Sequence, residues 1–169
     1  MRRLALILAT AAMMTATARA ETPEEWVKLG ERVHGGFGTY IALGIRIGLD
    51  AAEQLGAKPR ELDVTVYDGA ATPCPCIADG VMIATTASPG QNSLRVAAEK
   101  APAESMAVVV VRHRKDGRGL RYAVPDSLRA KLAEWNKAND PMGRWKVVTA
   151  APEAQLFVRE ALPAAAPPK

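Results

Sequence analysis

The segment Thr39 to Leu55 constrains the fold more than any other part of this chain. On a helix, Thr39, Arg46, Asp50 and Glu53 fall on one narrow polar stripe, while Ile41, Leu43, Ile45, Ile47 and Leu49 cover the rest. A helix that is apolar over most of its circumference has to be buried. Gly44, Gly48 and Ala52 recur every four residues along one ridge, where another backbone can approach closely. So much apolar surface on a small domain predicts a homodimer with this ridge at its interface. Gly56 and Pro59 end the helix.

The flanking sequence supplies the rest of an α+β domain. Thr22-Pro23-Glu24-Glu25 opens a helix with a hydroxyl cap, a proline in the first turn and acids against the dipole. It runs to about His34. After the central helix the period changes, and Leu62 to Tyr67 alternates as a strand. A helix near Ile77 to Ala87 and a strand at Leu94 to Ala97 follow. Strands at Ala107 to Arg112 and Leu120 to Val124 flank a hairpin turn at Lys115-Asp116-Gly117. Pro125-Asp126-Ser127 caps a helix carrying Leu128, Leu132 and Trp135, a weaker helix surrounds Trp145, and Leu156 to Glu160 is a last strand. Helices first, strands later and hairpin connections predict N-terminal helices packed on a mostly antiparallel sheet in one domain, residues 21–160. The Pro/Ala tail, 161–169, is expected to be disordered.

Residues 1–20 read as a secretory signal. Arg2 and Arg3 precede the apolar run Leu4 to Met14, and Ala18-Arg19-Ala20 is a cleavage site. The run is shorter than the ~20 residues that span a bilayer. The expectation is therefore a periplasmic or secreted protein beginning at Glu21, with no membrane attachment after cleavage. Removing Arg2, Arg3 and Arg19 takes the formal net charge from +4 to +1. The basic precursor thus gives no ground for nucleic-acid binding, which needs a basic stripe in the folded part.

Chemistry concentrates in two places. His34-Gly35-Gly36 lies between two helices, and Gly38 precedes the buried helix, whose first amides suit an anion or polar ligand. The plainer alternative is a helix C-cap whose histidine complements the dipole. Gly36-Phe37-Gly38 is not a dinucleotide loop, because the third glycine is replaced by Ile41 and a helix precedes it. The only two cysteines stand in Pro73-Cys74-Pro75-Cys76. A bond between them would close a very small ring around Pro75, where disulfide separation and torsion are hard to reach. That leaves metal or cofactor ligation, one reactive thiol, a bridge to another subunit, or two inert buried cysteines. Cys76 opens a helix, which lowers a thiol's pKa, and Asp79 three positions on opposes that shift. His113, among Arg112, Arg114 and Lys115, reads as part of a solvated turn.

The stretch His34-Gly35-Gly36-Phe37-Gly38-Thr39-Tyr40, continuing through Gly44, Arg46 and Gly48, resembles the opening motif of a known family. Proteins like the E subunit of formylmethanofuran dehydrogenase carry it as H-G-H-x-C-P-G-x-x-x-G-x-R-x-G. Cys76-Ile77-Ala78-Asp79 and Ser88-Pro89-Gly90-Gln91-Asn92-Ser93-Leu94 are similar to the family's C-x-x-D segment and its G-x-x-N-L turn. Order and spacing agree over about Glu31 to Val124. The motif's second histidine is Gly36 here, its cysteine is Gly38, and its proline and glycine are Thr39 and Tyr40. The resemblance implies an α+β domain, often dimeric, with a His/Cys/Asp pocket able to take a metal. His34, Gly44, Arg46, Cys76 and Asp79 carry over. The family is named for a cytoplasmic one-carbon enzyme, and an exported single domain takes from it the domain type alone.

Three functions follow as expectations. The first is an exported module that binds a metal ion through His34, Cys74, Cys76 and Asp79, zinc or copper by ligand chemistry. It would otherwise bind a small cofactor against Gly35, Gly36, Gly38, Tyr40 and Asn92, and would serve a periplasmic redox enzyme. The second is a scaffold whose pocket has degenerated. The third is an enzyme with Cys76 as nucleophile, His34 as base and the amides near Gly38 as oxyanion donors, acting on a one-carbon or acyl substrate.

Overall fold

The computed structural model describes residues 21–165, so the expected signal segment 1–20 and the last four residues lie outside the described residues. The elements run α1 (Pro23–His34), α2 (Thr39–Leu55), β1 (Leu62–Asp68), α3 (Cys76–Thr85), a 3-10 turn (Pro89–Gln91), β2 (Leu94–Val96), β3 (Ser105–His113), β4 (Gly119–Pro125), α4 (Leu128–Ala138), α5 (Pro141–Ala150), α6 (Glu153–Leu156) and β5 (Val158–Leu162). The strands form one sheet in the order β2-β1-β3-β4-β5. Only β1 and β2 are parallel, joined through α3, and the remaining pairs are antiparallel. The protein is an α+β domain with its helices packed on a five-stranded, mostly antiparallel sheet. No helix among the described residues is long and apolar enough to cross a membrane.

Helix α2 is the centre of the core, with Ile41, Leu43, Ile45 and Ile47 fully buried. Strand alternation turns Leu62, Val64 and Val66 of β1 and Ala107, Val109 and Val111 of β3 toward it. Arg46 and Asp50 of the polar stripe of α2 are also spent internally. Arg46 Nη1 donates to the carbonyls of Val148, Thr149 and Ala151, closing the C-terminal end of α5, where helix carbonyls lack partners. Asp50 accepts from the Tyr122 hydroxyl at 2.6 Å and pairs with Arg159.

The glycine ridge has a partner within the chain. A Cβ on Gly44 would sit 2.9 Å from Gly80 Cα and 3.0 Å from Val81 N, and one on Gly48 2.7 Å from Ala84 Cβ. The ridge therefore seats α3, with Gly80 as the matching gap, and is not free to meet a second copy. The close approach that the ridge invites is thus made within the chain, while Leu49 of the same helix remains exposed.

Two further expectations change. His113, expected in a solvated turn, is 7 % exposed. It ends β3 opposite Leu62 on the inward face, with Asp116 at 3.2 Å and Glu61 at 3.6 Å. The tail begins later than expected, since Ala161 and Leu162 complete β5. Pro163 and Ala165 then run beside the β3–β4 hairpin, where Arg112 donates to Pro163 O and Ala165 N to Gly117 O.

Candidate metal centre

His34 is the last residue of α1, and Gly35 ends that helix in the left-handed conformation, φ 85°, with its amide bonded to Glu31 O. The C-cap reading of His34-Gly35-Gly36 thus describes the backbone, while the His34 side chain is turned to α3. His34 Nδ1 lies 2.7 Å from Asp79 Oδ2. A carboxylate only accepts, so Nδ1 donates in this contact, and in the neutral ring the lone pair then falls on Nε2. Asp79 stands one turn into α3. Of the four residues proposed as ligands, it is the one that orients another.

Cys74 and Cys76 flank Pro75, which caps the N-terminus of α3 with φ −76° and ψ 40°. Their Cα atoms are 5.4 Å apart and the two sulfurs form a disulfide. This corrects the expectation that a bond between them is hard to reach. The bend at Pro75 and the start of the helix bring the Cα atoms into the ordinary disulfide range, which an extended Cys-Pro-Cys segment would not allow. Neither cysteine is free, so a resting nucleophile at Cys76 is not present.

His34, Cys74 and Cys76 form a group that could hold a metal ion, since one ligand atom from each lies within 4.8 Å of the others. Forty-two positions of sequence separate His34 from Cys76, and the α2–α3 packing closes that gap. Three neutral or anionic N and S donors suit a borderline or soft cation. A cysteine ligates as thiolate, so the group has this capacity only when the pair is reduced.

Beside these atoms is a cavity of about 350 Å³ lined by His34, Gly36, Gly38, Tyr40, Cys76 and Asn136, among others. Gly35 and Asn92 are not part of its lining. Asn92 instead closes the 3-10 turn at φ 53°. The amides at the start of α2, expected as oxyanion donors, are in part occupied, because Asn136 Oδ1 accepts from Thr39 N at 3.2 Å.

The FmdE family model, described as molybdenum formylmethanofuran dehydrogenase operon, matches residues 33–162. The chain belongs to the FmdE family. Among solved structures it is similar to an FmdE-like protein of the tungsten formylmethanofuran dehydrogenase type from Syntrophus aciditrophicus. The TM-score is 0.57 at 16 % identity, covering 85 % of this chain and 73 % of that one, a likeness of fold. No curated protein matches the chain.

In this FmdE domain the loop that follows His34 is clamped from far along the sequence. Phe37 is buried against Trp145, with ring centroids 6.3 Å apart. Gly30 of α1 leaves the space for its ring, since a Cβ there would collide with it. Arg144 donates from Nη1 to Phe37 O and from Nε to Asn136 O, both at 2.9 Å. Asn136 and Arg144 are the functional neighbours that sequence reasoning missed. Neither lies in a motif, and only tertiary packing brings them to the loop. Gly44 and Arg46, two of the motif residues, serve the α2–α3 crossing and the end of α5 instead of the cavity.

Proposed function

We propose that this chain is an exported FmdE-family domain that binds one transition-metal ion, zinc or cuprous copper, through His34, Cys74 and Cys76. The convergence of those three ligand atoms within 4.8 Å carries the reading. The Asp79–His34 hydrogen bond supports it, because metal-binding histidines characteristically give their second ring nitrogen to a carboxylate. Loading requires two electrons and two protons to open the Cys74–Cys76 bond, after which each thiol gives up its proton to leave the ligating thiolate. A dithiol reductant outside the cytoplasm is therefore the partner this function calls for.

The test is metal titration of the purified protein, reduced and handled without oxygen, beside the same protein left oxidised. Reduced protein takes up one equivalent of zinc or cuprous copper, and oxidised protein takes up none. Cys76→Ala abolishes uptake, His34→Ala weakens it, and Asp79→Asn lowers affinity roughly 10- to 100-fold. Reduced, folded protein that binds neither metal would leave the degenerate scaffold as the better account. Export has its own check. The charged start, apolar run and Ala-x-Ala end of residues 1–20 support cleavage after Ala20, and N-terminal sequencing from the native host should begin at Glu21. Full-length protein starting at Met1 in the cytoplasm would refute it.

A further inference from the structure

The sheet face turned away from the helices is a grid that the strand register defines. One row crosses β2, β1, β3, β4 and β5 as Arg95, Thr65, Val110, Arg121 and Glu160. The next is Asp63, Arg112, Gly119 and Leu162. Thr65 and Val110 are short, Arg95, Arg112 and Arg121 stand around them, and the face is hollowed into a cavity of about 400 Å³. Gly119 belongs to that design. A Cβ there would lie 3.0 Å from Arg112 Cγ and 3.1 Å from its Nη1, so glycine lets Arg112 cross this strand without being pushed aside.

The charges are unevenly matched. Asp63 pairs at 3.5 Å with Arg114, which stands outside the hollow, and Glu160 pairs with Arg121 at 3.1 Å. Arg112 and Arg95 have no carboxylate partner among the described residues. Arg112 Nη1 is anchored on the carbonyls of Gly117 and Pro163, both at 3.0 Å, and Arg95 Nε on Thr65 Oγ1 at 3.0 Å. Each anchor uses one nitrogen of the guanidinium, which leaves two others to grip an oxyanion as a fork. A guanidinium already held by the protein also loses less freedom on binding.

We propose that this hollow is a binding site for a small organic phosphate, held between Arg95 and Arg112, with its apolar part on Val110 and Leu162. A planar carboxylate is satisfied by one fork, whereas a doubly charged tetrahedral group has oxygens for two. The site lies on the side of the sheet opposite the cysteines and does not depend on the metal reading.

Calorimetric titration of the purified protein at low ionic strength, with phenyl phosphate, inorganic phosphate and benzoate as probes, tests this. Binding should be saturable and strongest for phenyl phosphate, then phosphate, then benzoate. Arg112→Gln and Arg95→Gln should each weaken phenyl phosphate roughly tenfold or more, the worth of a charged hydrogen bond. Arg32→Gln on α1 should change nothing. Arg95 lies on the short, exposed edge strand, so its variant reads binding without risk to the fold. Absence of saturable binding at millimolar phenyl phosphate overturns the proposal, as does unchanged affinity in Arg95→Gln. A dimer by light scattering that both variants dissociate would give the face to a second copy and also overturn it.

Discussion

Tyr122 and Asp50 show how single residues hold this domain together. The Tyr122 ring is fully buried, edge-on to Phe157 at 5.2 Å, and its hydroxyl donates to Asp50. Burial, together with the bond to Asp50, pushes the phenol above its ordinary value, which is near 10. The folded state therefore holds the proton more tightly than the unfolded chain. This contribution to stability is complete below pH ~10 and declines as the pH rises further, when the unfolded chain ionises first. Tyr122→Phe should remove that alkaline dependence and cost about 1.5–3 kcal/mol at neutral pH, the range for a hydrogen bond to a charged group. Urea unfolding at pH 7 and above pH 10 measures both. At this scale the sequence was partly legible. His34, Cys76 and Asp79 stood out because their residue types and positions at helix ends have a chemical meaning. Asn136 and Arg144 have none until α4 and α5 are folded against the loop, and the Cys74–Cys76 bond depended on a backbone bend that composition does not encode.

Among the elements, the α2–α3 crossing is the least tolerant of change. Gly44 and Gly80 face one another, and a Cβ on Gly80 would lie 2.8 Å from both Gly44 Cα and Ile45 N. Backbone cannot yield as a flexible side chain does. Gly80→Ala should therefore destabilise by about 1–3 kcal/mol or more through overpacking, seen as a lower denaturation midpoint with an unchanged slope. If the helices separate, His34 and Cys76 part as well, so metal uptake by the reduced variant should fall in step. An unaltered midpoint would mean that the crossing is looser than described. Here period and caps told much. The span of α2 matched its apolar pattern to the residue, and the hairpin followed from its turn. What covered the glycine ridge was not readable, because close packing needs two matching gaps and Gly80 is one glycine in an otherwise ordinary apolar helix. The first residues of the tail were missed for a related reason, since β5 is an edge strand whose exposed side chains carry no alternating pattern.

For the whole molecule, the layout follows from one buried helix and one sheet, and both were legible in the sequence. The long-range ties were not, because they join the first quarter of the chain to its last. Phe37 waits on Trp145, and the loop carbonyl on Arg144. Contacts so distant along the chain form late, because a long loop must close before they repay its entropy. Cys74 and Cys76 stand two positions apart and need only the local bend at Pro75. If the chain is exported as proposed, the sulfurs can meet as soon as the chain bends at Pro75, before His34 has a fixed seat beside them. In an oxidising compartment the protein thus completes folding with its sulfurs already joined. On the function proposed above, its first encounter with a reductant, and not its synthesis, then marks the beginning of its working life.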